Sequence, residues 1–330
     1  MTALLSLLLL GIVLSTVAPG RLARARWAER EPVLALLVWQ CLVAAVLLCC
    51  ALGLVLAGAA ALPELRELVF QGAPHGVEAA YGLAGGEGWG RLAAAALAFG
   101  GLWTAFSLTR EIRSARALRG HRQEQLDHRA PEIPPQLTAR RRRRATRERL
   151  VVLESVRPEA WSLPGPDARL VVTTQALRQL TDRELAAVLS HERGHVRARH
   201  HWLAQCSQAL ASGFPGVAMF SAFRDQVGEL IELAADDRAA RRHGRLTTAL
   251  ALVELNSGRG VFGPCQSPLA SARAPQLTAQ APRRVDRLLA GEPRLPVDHR
   301  LRLTLAALAA PAAAVLLAAA PGLTALLRLG

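Results

Sequence analysis

The chain has 330 residues, 51% of them apolar and only 4% aromatic, and a formal net charge of +14. That charge limits the polyanionic partners to nucleic acid or an anionic membrane surface, and the placement of the basic residues decides between them. All 40 basic residues are arginine, the codon preference expected of a GC-rich bacterial genome.

Residues 1–18 are apolar and uncharged, and Arg21, Arg24, Arg26 and Arg30 follow them. A secretory signal would begin with basic residues and end in a small-residue cleavage site, so this stretch reads as a spanning helix with its N-terminus outside. Residues 33–60 form a second apolar run, in which Cys41, Cys49 and Cys50 act as small apolar fillers. Residues 61–91 are polar, glycine-rich and mildly acidic, and read as an outside loop. That loop has no cysteine, so no disulfide framework is implied. Residues 92–109 are a third span, where Gly100 and Gly101 allow another helix to approach closely.

The character then changes. Arg110, Arg113, Arg116, Arg119, Arg122 and Arg129 lead into the run Arg140 to Arg144, then Arg147 and Arg149. Pro131, Pro134 and Pro135 break the stretch, which reads as a basic cytoplasmic linker over 110–149. Loops that alternate basic, acidic and basic follow the positive-inside rule. The arginines are therefore expected to hold anionic lipid, with no nucleic acid as partner.

Residues 150–295 read as the catalytic domain. Two β signals, 150–153 and 169–174, flank a turn over Trp161 to Asp167. They predict either a strand whose edge takes up an extended substrate or a purely structural hairpin. Thr181 and Glu184 form a capping box that starts a helix over about 182–210. Inside it lies His191-Glu192-Arg193-Gly194-His195, which reads H-E-x-x-H. Histidines four apart share one helix face and can reach one metal, usually zinc, while the glutamate between them can move a proton to and from the attacking water.

A catalytic zinc takes three protein ligands. A second helix, about 225–243, offers Glu232 as the third, with Glu229 one turn earlier as its rival. Asp236 is placed to orient a ligand histidine. The apolar stretch 203–223 is not a full crossing, because a crossing would put Glu232 and the histidines on opposite sides of the membrane. Residues 246–255 read as a buried helix, 256–280 as a Gly-, Pro- and Ser-rich segment, and 282–289 as a short basic helix. Cys206 and Cys265 are lone thiols. Residues 296–330 carry the last span, about 303–327, with Arg294, Arg300 and Arg302 holding its start inside.

H-E-x-x-H followed by Glu232-Leu233-Ala234-Ala235-Asp236, which reads E-x-x-A-D, resembles the integral-membrane gluzincin zinc metallopeptidases: the HtpX and CAAX-prenyl protease group and the BlaR/MecR group. That spacing favours Glu232 over Glu229. The resemblance covers about 150–290 and the order of the spans, and includes Trp161 to Gly165 and Arg169 to Thr174. It departs where relatives often carry Arg-Asp and this chain has Arg199-His200. BlaR/MecR receptors also carry an outside ligand-sensing domain after the last span. Only Arg328, Leu329 and Gly330 follow here, so a sensor of that design is not expected.

The resemblance implies a mostly α, multi-span membrane protein of about four transmembrane helices with a cytoplasmic zincin-like α+β metallopeptidase domain. It implies one zinc ion held by His191, His195 and Glu232, with Glu192 as base and then acid. The implied location is the plasma membrane. The implied partners are the lipid bilayer and a protein or peptide substrate, either a cytoplasmic regulator or a membrane protein under quality control. The oxyanion donor is open among Arg238, Arg241, His243, His200 and His201, because Tyr81, the one tyrosine, is expected outside. The alternative is a catalytically inactive signalling scaffold with a structural metal, in which His200 or another residue closes the fourth position.

Overall fold

A computed structural model of the chain describes residues 2–74, 76–83, 87–129, 149–163, 169–257 and 270–329. The run Arg140 to Arg144, the three linker prolines, the turn residues 164–168 and Cys265 lie outside the described residues. The chain divides into two compact units.

The first unit comprises Met1–Thr109, Ala209–Gln226 and Leu295–Gly330. Its helices are α1 (Thr2–Ala23), α2 (Trp27–Arg30), α3 (Pro32–Ala61), α4 (Pro63–Phe70), α5 (Val77–Ala80), the first part of α6 (Glu87–Arg129) and α13 (Val297–Leu329). Four stretches are long and apolar enough to cross a membrane: Thr2–Ala23, Pro32–Ala61, Gly90–Ala117 and Val297–Arg328. They leave Leu9, Phe99 and Leu102 exposed, an apolar surface suited to lipid.

Small residues let these helices approach. Ala3, Leu7, Cys49, Leu56 and Ala314 form the core between α1, α3 and α13. A Cβ on Gly90 would lie 3.0 Å from Ala60 Cβ and 3.3 Å from the Ala57 carbonyl oxygen, so α6 starts in backbone contact with the end of α3. The segment expected as a loop carries two short helices, α4 and α5, and Tyr81 packs on Phe70 with ring centroids 5.2 Å apart.

The same unit holds the end of one helix and the start of the next. Helix α9 (His200–Gly213) ends and α10 (Ala218–His243) begins within the apolar stretch at 203–223, so that stretch is interrupted between Gly213 and Ala218. Trp103 Nε1 donates to the Gly213 carbonyl, and a Cβ at Gly213 would fall 2.7 Å from Ser107 Oγ. The third apolar helix thus grips this turn, and only glycine fits there.

The second unit comprises Arg110–Gln208 and Val227–Arg294. It contains a three-stranded sheet in the order β1-β3-β2, from β1 (Arg149–Leu153), β2 (Ala160–Leu163) and β3 (Arg169–Thr173). The sheet corrects the hairpin expectation: β1 and β3 run parallel, and a strand occupies the expected turn and pairs antiparallel with β3. Alternation along β3 sends Val172 to one face and Val171 to the other. Val172 joins Ala160, Ala176, Leu180, Val188, Leu252 and Leu255 in the main core. Val171 joins Val151 and Leu163 in a smaller one.

Helix α7 (Thr174–Gln179) is capped by Thr173, and α8 (Asp182–Arg197) follows it. The helix expected over 182–210 is two helices. Arg199 adopts φ 52, and α9 starts at His200. A left-handed non-glycine residue costs about 1–2 kcal/mol. Helix α11 (Arg245–Ser257) packs on α8 and on α12 (Ala270–Ala290), which is longer than the basic helix expected at 282–289.

Candidate metal centre

The site is built where α8 meets α10. The Thr181 N–H donates to Glu184 Oε2 at 2.8 Å and the Glu184 N–H returns to Thr181 Oγ1 at 3.4 Å, which fixes the start of α8. The helix then brings His191 and His195 to one face, one turn apart. Between them is Gly194, where a Cβ would lie 3.3 Å from Arg238 Cδ and 3.6 Å from the Ala235 Cα. Two small residues, Gly194 and Ala235, therefore let α8 and α10 touch, and the carboxylates of α10 come within reach of the histidines.

Three ligand atoms converge. His191 Nε2 and His195 Nε2 are 3.1 Å apart. Glu232 Oε2 is 3.6 Å from His191 Nε2, and Glu232 Oε1 is 3.5 Å from His195 Nε2. A tetrahedral zinc with ligands at about 2.0–2.1 Å sets its ligand atoms about 3.3 Å apart, so these residues fit that ion. The fit has a second sign. Glu232 is 1% exposed, yet its Oε1 accepts no hydrogen bond from the described residues. A buried carboxylate oxygen left so costs energy unless a cation meets it. Among the described residues, His191, His195 and Glu232 form a group able to hold a metal, with the rival Glu229 outside it.

Behind the ligand atoms lies a buried polar network. His191 Nδ1 is 3.0 Å from Asp236 Oδ1. Arg284, 4% exposed on α12, donates through Nε to Asp236 Oδ2 and through Nη2 to Asp236 Oδ1, both at 2.7 Å, and its Nη1 lies 3.0 Å from Glu232 Oε2. A bidentate guanidinium–carboxylate pair fixes orientation as well as charge. Burial works against a charge on His191, but the bonds to Asp236 and Glu232 outweigh it and raise the imidazole to about 9 in the metal-free chain. His195 goes the other way, pushed down to about 3 by burial.

Glu192 is buried on the same helix. Ser162 on β2 donates its hydroxyl to Glu192 Oε2 at 2.9 Å, which ties the base to the sheet. Burial lifts the Glu192 carboxyl to about 7, against the lowering effect of His191 and Ser162. A base near neutrality can both take and return a proton.

The remaining candidates are dispersed. The stem of Arg238 lies over Gly194. His243 ends α10, about 10 Å along the axis beyond Asp236. His200 Nδ1 sits 3.0 Å from His195 Nδ1, the nitrogen on the far side of the ring from the convergence point. Ser162 and Arg284 are the site's polar neighbours that the sequence does not single out. Arg284 is 48 residues from Asp236 and stands among similar arginines.

Comparison with known proteins agrees with this chemistry. The sequence model of Peptidase family M48 matches residues 122–261. Neither a curated protein nor a solved structure matches the chain significantly. The matched stretch contains both histidines, Glu192, Glu232 and Asp236, so this part of the chain is similar to the metallopeptidases of family M48.

Proposed function

We propose that the protein is a membrane-bound zinc endopeptidase that hydrolyses peptide bonds on the cytoplasmic side of the plasma membrane. The convergence of His191 Nε2, His195 Nε2 and Glu232, with Glu192 buried beside them, carries this reading. The orientation is supported by the charge pattern: Arg110, Arg113 and Arg116 directly follow the third apolar run, and Arg294, Arg300 and Arg302 precede the fourth. A cytoplasmic regulator or an unfolded membrane protein is the expected substrate class.

His191, His195 and Glu232 would hold the ion. Zinc bound there polarises the scissile carbonyl and lowers the pKa of water. Glu192 takes the proton of the attacking water and delivers it to the leaving nitrogen. Ser162 holds Glu192 in place, and Asp236 holds His191 by its Nδ1. Arg284 keeps both carboxylates ionised and oriented. The inactive-scaffold reading, with His200 closing the fourth position, lacks support, because His200 Nδ1 is engaged behind His195.

The test is proteolysis by the detergent-purified chain supplied with zinc, wild type beside Glu192→Gln, with metal content measured on both. The expected result is cleavage of an unfolded substrate by the wild type and a loss of about 10²–10⁴-fold in the variant, which still holds zinc. Undiminished cleavage by Glu192→Gln would falsify the mechanism.

A further inference from the structure

The two imidazoles of the metal centre are backed by different chemistry. His191 turns its Nδ1 to a carboxylate, Asp236. His195 turns its Nδ1 to a second imidazole, with His200 Nδ1 at 3.0 Å. The rings of His195 and His200 stand edge to face at 81°, with centroids 5.0 Å apart, an arrangement that suits an N–H···N bond and not stacking. Both rings are buried, which leaves little room for a water to serve His195 instead.

This contact does not follow from a helix. Residues five apart in a continuous α-helix point about 140° away from each other. The left-handed backbone at Arg199 ends α8, and α9 starts at His200, which brings the two side chains together. The strained residue is therefore directly adjacent to the contact it makes possible.

We infer that His200 is a positioning residue for the metal centre: a neutral acceptor that fixes the Nδ1–H tautomer of His195 and so presents His195 Nε2 to the ion. The argument rests on the zinc reading above and on the chemistry of imidazole. A neutral ring carries one N–H. When Nε2 faces a metal, the hydrogen is on Nδ1, and that Nδ1–H needs an acceptor. The only atom of His200 at hydrogen-bond distance there is Nδ1, so it accepts, and His200 keeps its own hydrogen on Nε2. The same geometry makes the centre asymmetric. One ligand histidine is supported by an anion that Arg284 holds in place, the other by an uncharged ring. An uncharged acceptor polarises its partner less, so the hold of His195 on the ion is weaker than it would be with a carboxylate at position 200.

The experiment uses the full-length chain in detergent. Zinc affinity is measured by competition with a chromophoric chelator, and Co²⁺-substituted protein is followed by its visible absorption. The variants are His200→Leu, His200→Asn and His200→Asp, with the thermal transition of each zinc-free protein as a control on folding. Leu removes the acceptor and is expected to weaken zinc binding about 10–100-fold and to change the Co²⁺ spectrum. Asn keeps a neutral acceptor and should stay close to wild type. Asp should bind zinc as tightly as wild type or tighter. Wild-type affinity in His200→Leu overturns the proposal. So does a fall in His200→Asn and His200→Asp as large as that in Leu, because the ring's bulk and not its acceptor nitrogen would then matter. If Leu does not fold, the Asn and Asp variants decide the matter alone. A wild-type chain that takes up no zinc overturns the metal centre itself, and with it this proposal, before any variant is compared.

Discussion

The two units hold themselves together by opposite means. In the first, Ala57, Ala59, Ala60, Gly90 and Ala314 bring apolar helices into near backbone contact, and side-chain polarity contributes little. In the second, a charged network is buried beside the apolar core: Glu232, Asp236, His191 and Arg284 are all nearly inaccessible, and each carboxylate pairs with both His191 and Arg284. Small-residue packing tolerates many sequences of the right volume, whereas a buried ionic network tolerates only residues that complete it. The difference teaches where mutations should be lethal and where they should be absorbed.

The largest expected effect tests the network. Arg284→Met leaves Asp236 and Glu232 buried without their cation. It should destabilise the zinc-loaded protein by about 3–5 kcal/mol, read as a lowered thermal transition in detergent. Arg284→Lys keeps the charge but not the fork and should fall between Met and wild type. If Met and wild type unfold together, the contrast between the units disappears.

A smaller effect tests the packing. Gly90→Ala puts a methyl 3.0 Å from Ala60 Cβ, and overpacking of this kind costs about 1–3 kcal/mol. Ala60→Gly in the same chain should restore the transition, and zinc affinity should not change in either variant. A change in zinc affinity would show that the two units are not independent in this respect.

The smallest effect sharpens the picture of the network. In the metal-free chain His191 is raised to about 9, so at pH 7.5 it carries a proton that zinc must displace. Zinc loading should release about one proton. Apparent affinity should climb about tenfold per pH unit below 9 and then level off, because above that pH the imidazole is already neutral. Calorimetry in two buffers of different ionisation enthalpy reads the proton directly. Equal heats in both would mean that His191 is neutral before the metal arrives.

What the sequence reveals follows the same divide. The apolar runs are legible because a span needs only length and hydropathy, and the zinc helix because Thr181, Glu184, His191 and His195 are local patterns on one element. Glu232 and Asp236 are legible as a spacing. Three features are not. The break at Arg199 has no glycine or proline to announce it. Strand β2 is four residues long, lies inside what reads as a turn, and shows itself only through its register with β3. Arg284 shares its helix with Arg283 and Arg287, and nothing in the local sequence says which of them is buried. Its partner is 48 residues away, and that pairing is a property of the fold alone.

The clamp between α10 and α12 has a consequence for how the domain tolerates damage. Arg284 grips Asp236 and Glu232, and Arg287 Nη2 bonds to Asp237 Oδ1 at 2.7 Å. On the same helix Val285 packs against the core that Leu252 and Leu255 help to form. Helix α12 is therefore held twice, by ion pairs to α10 and by apolar packing, and a lesion in one set of contacts leaves it attached through the other.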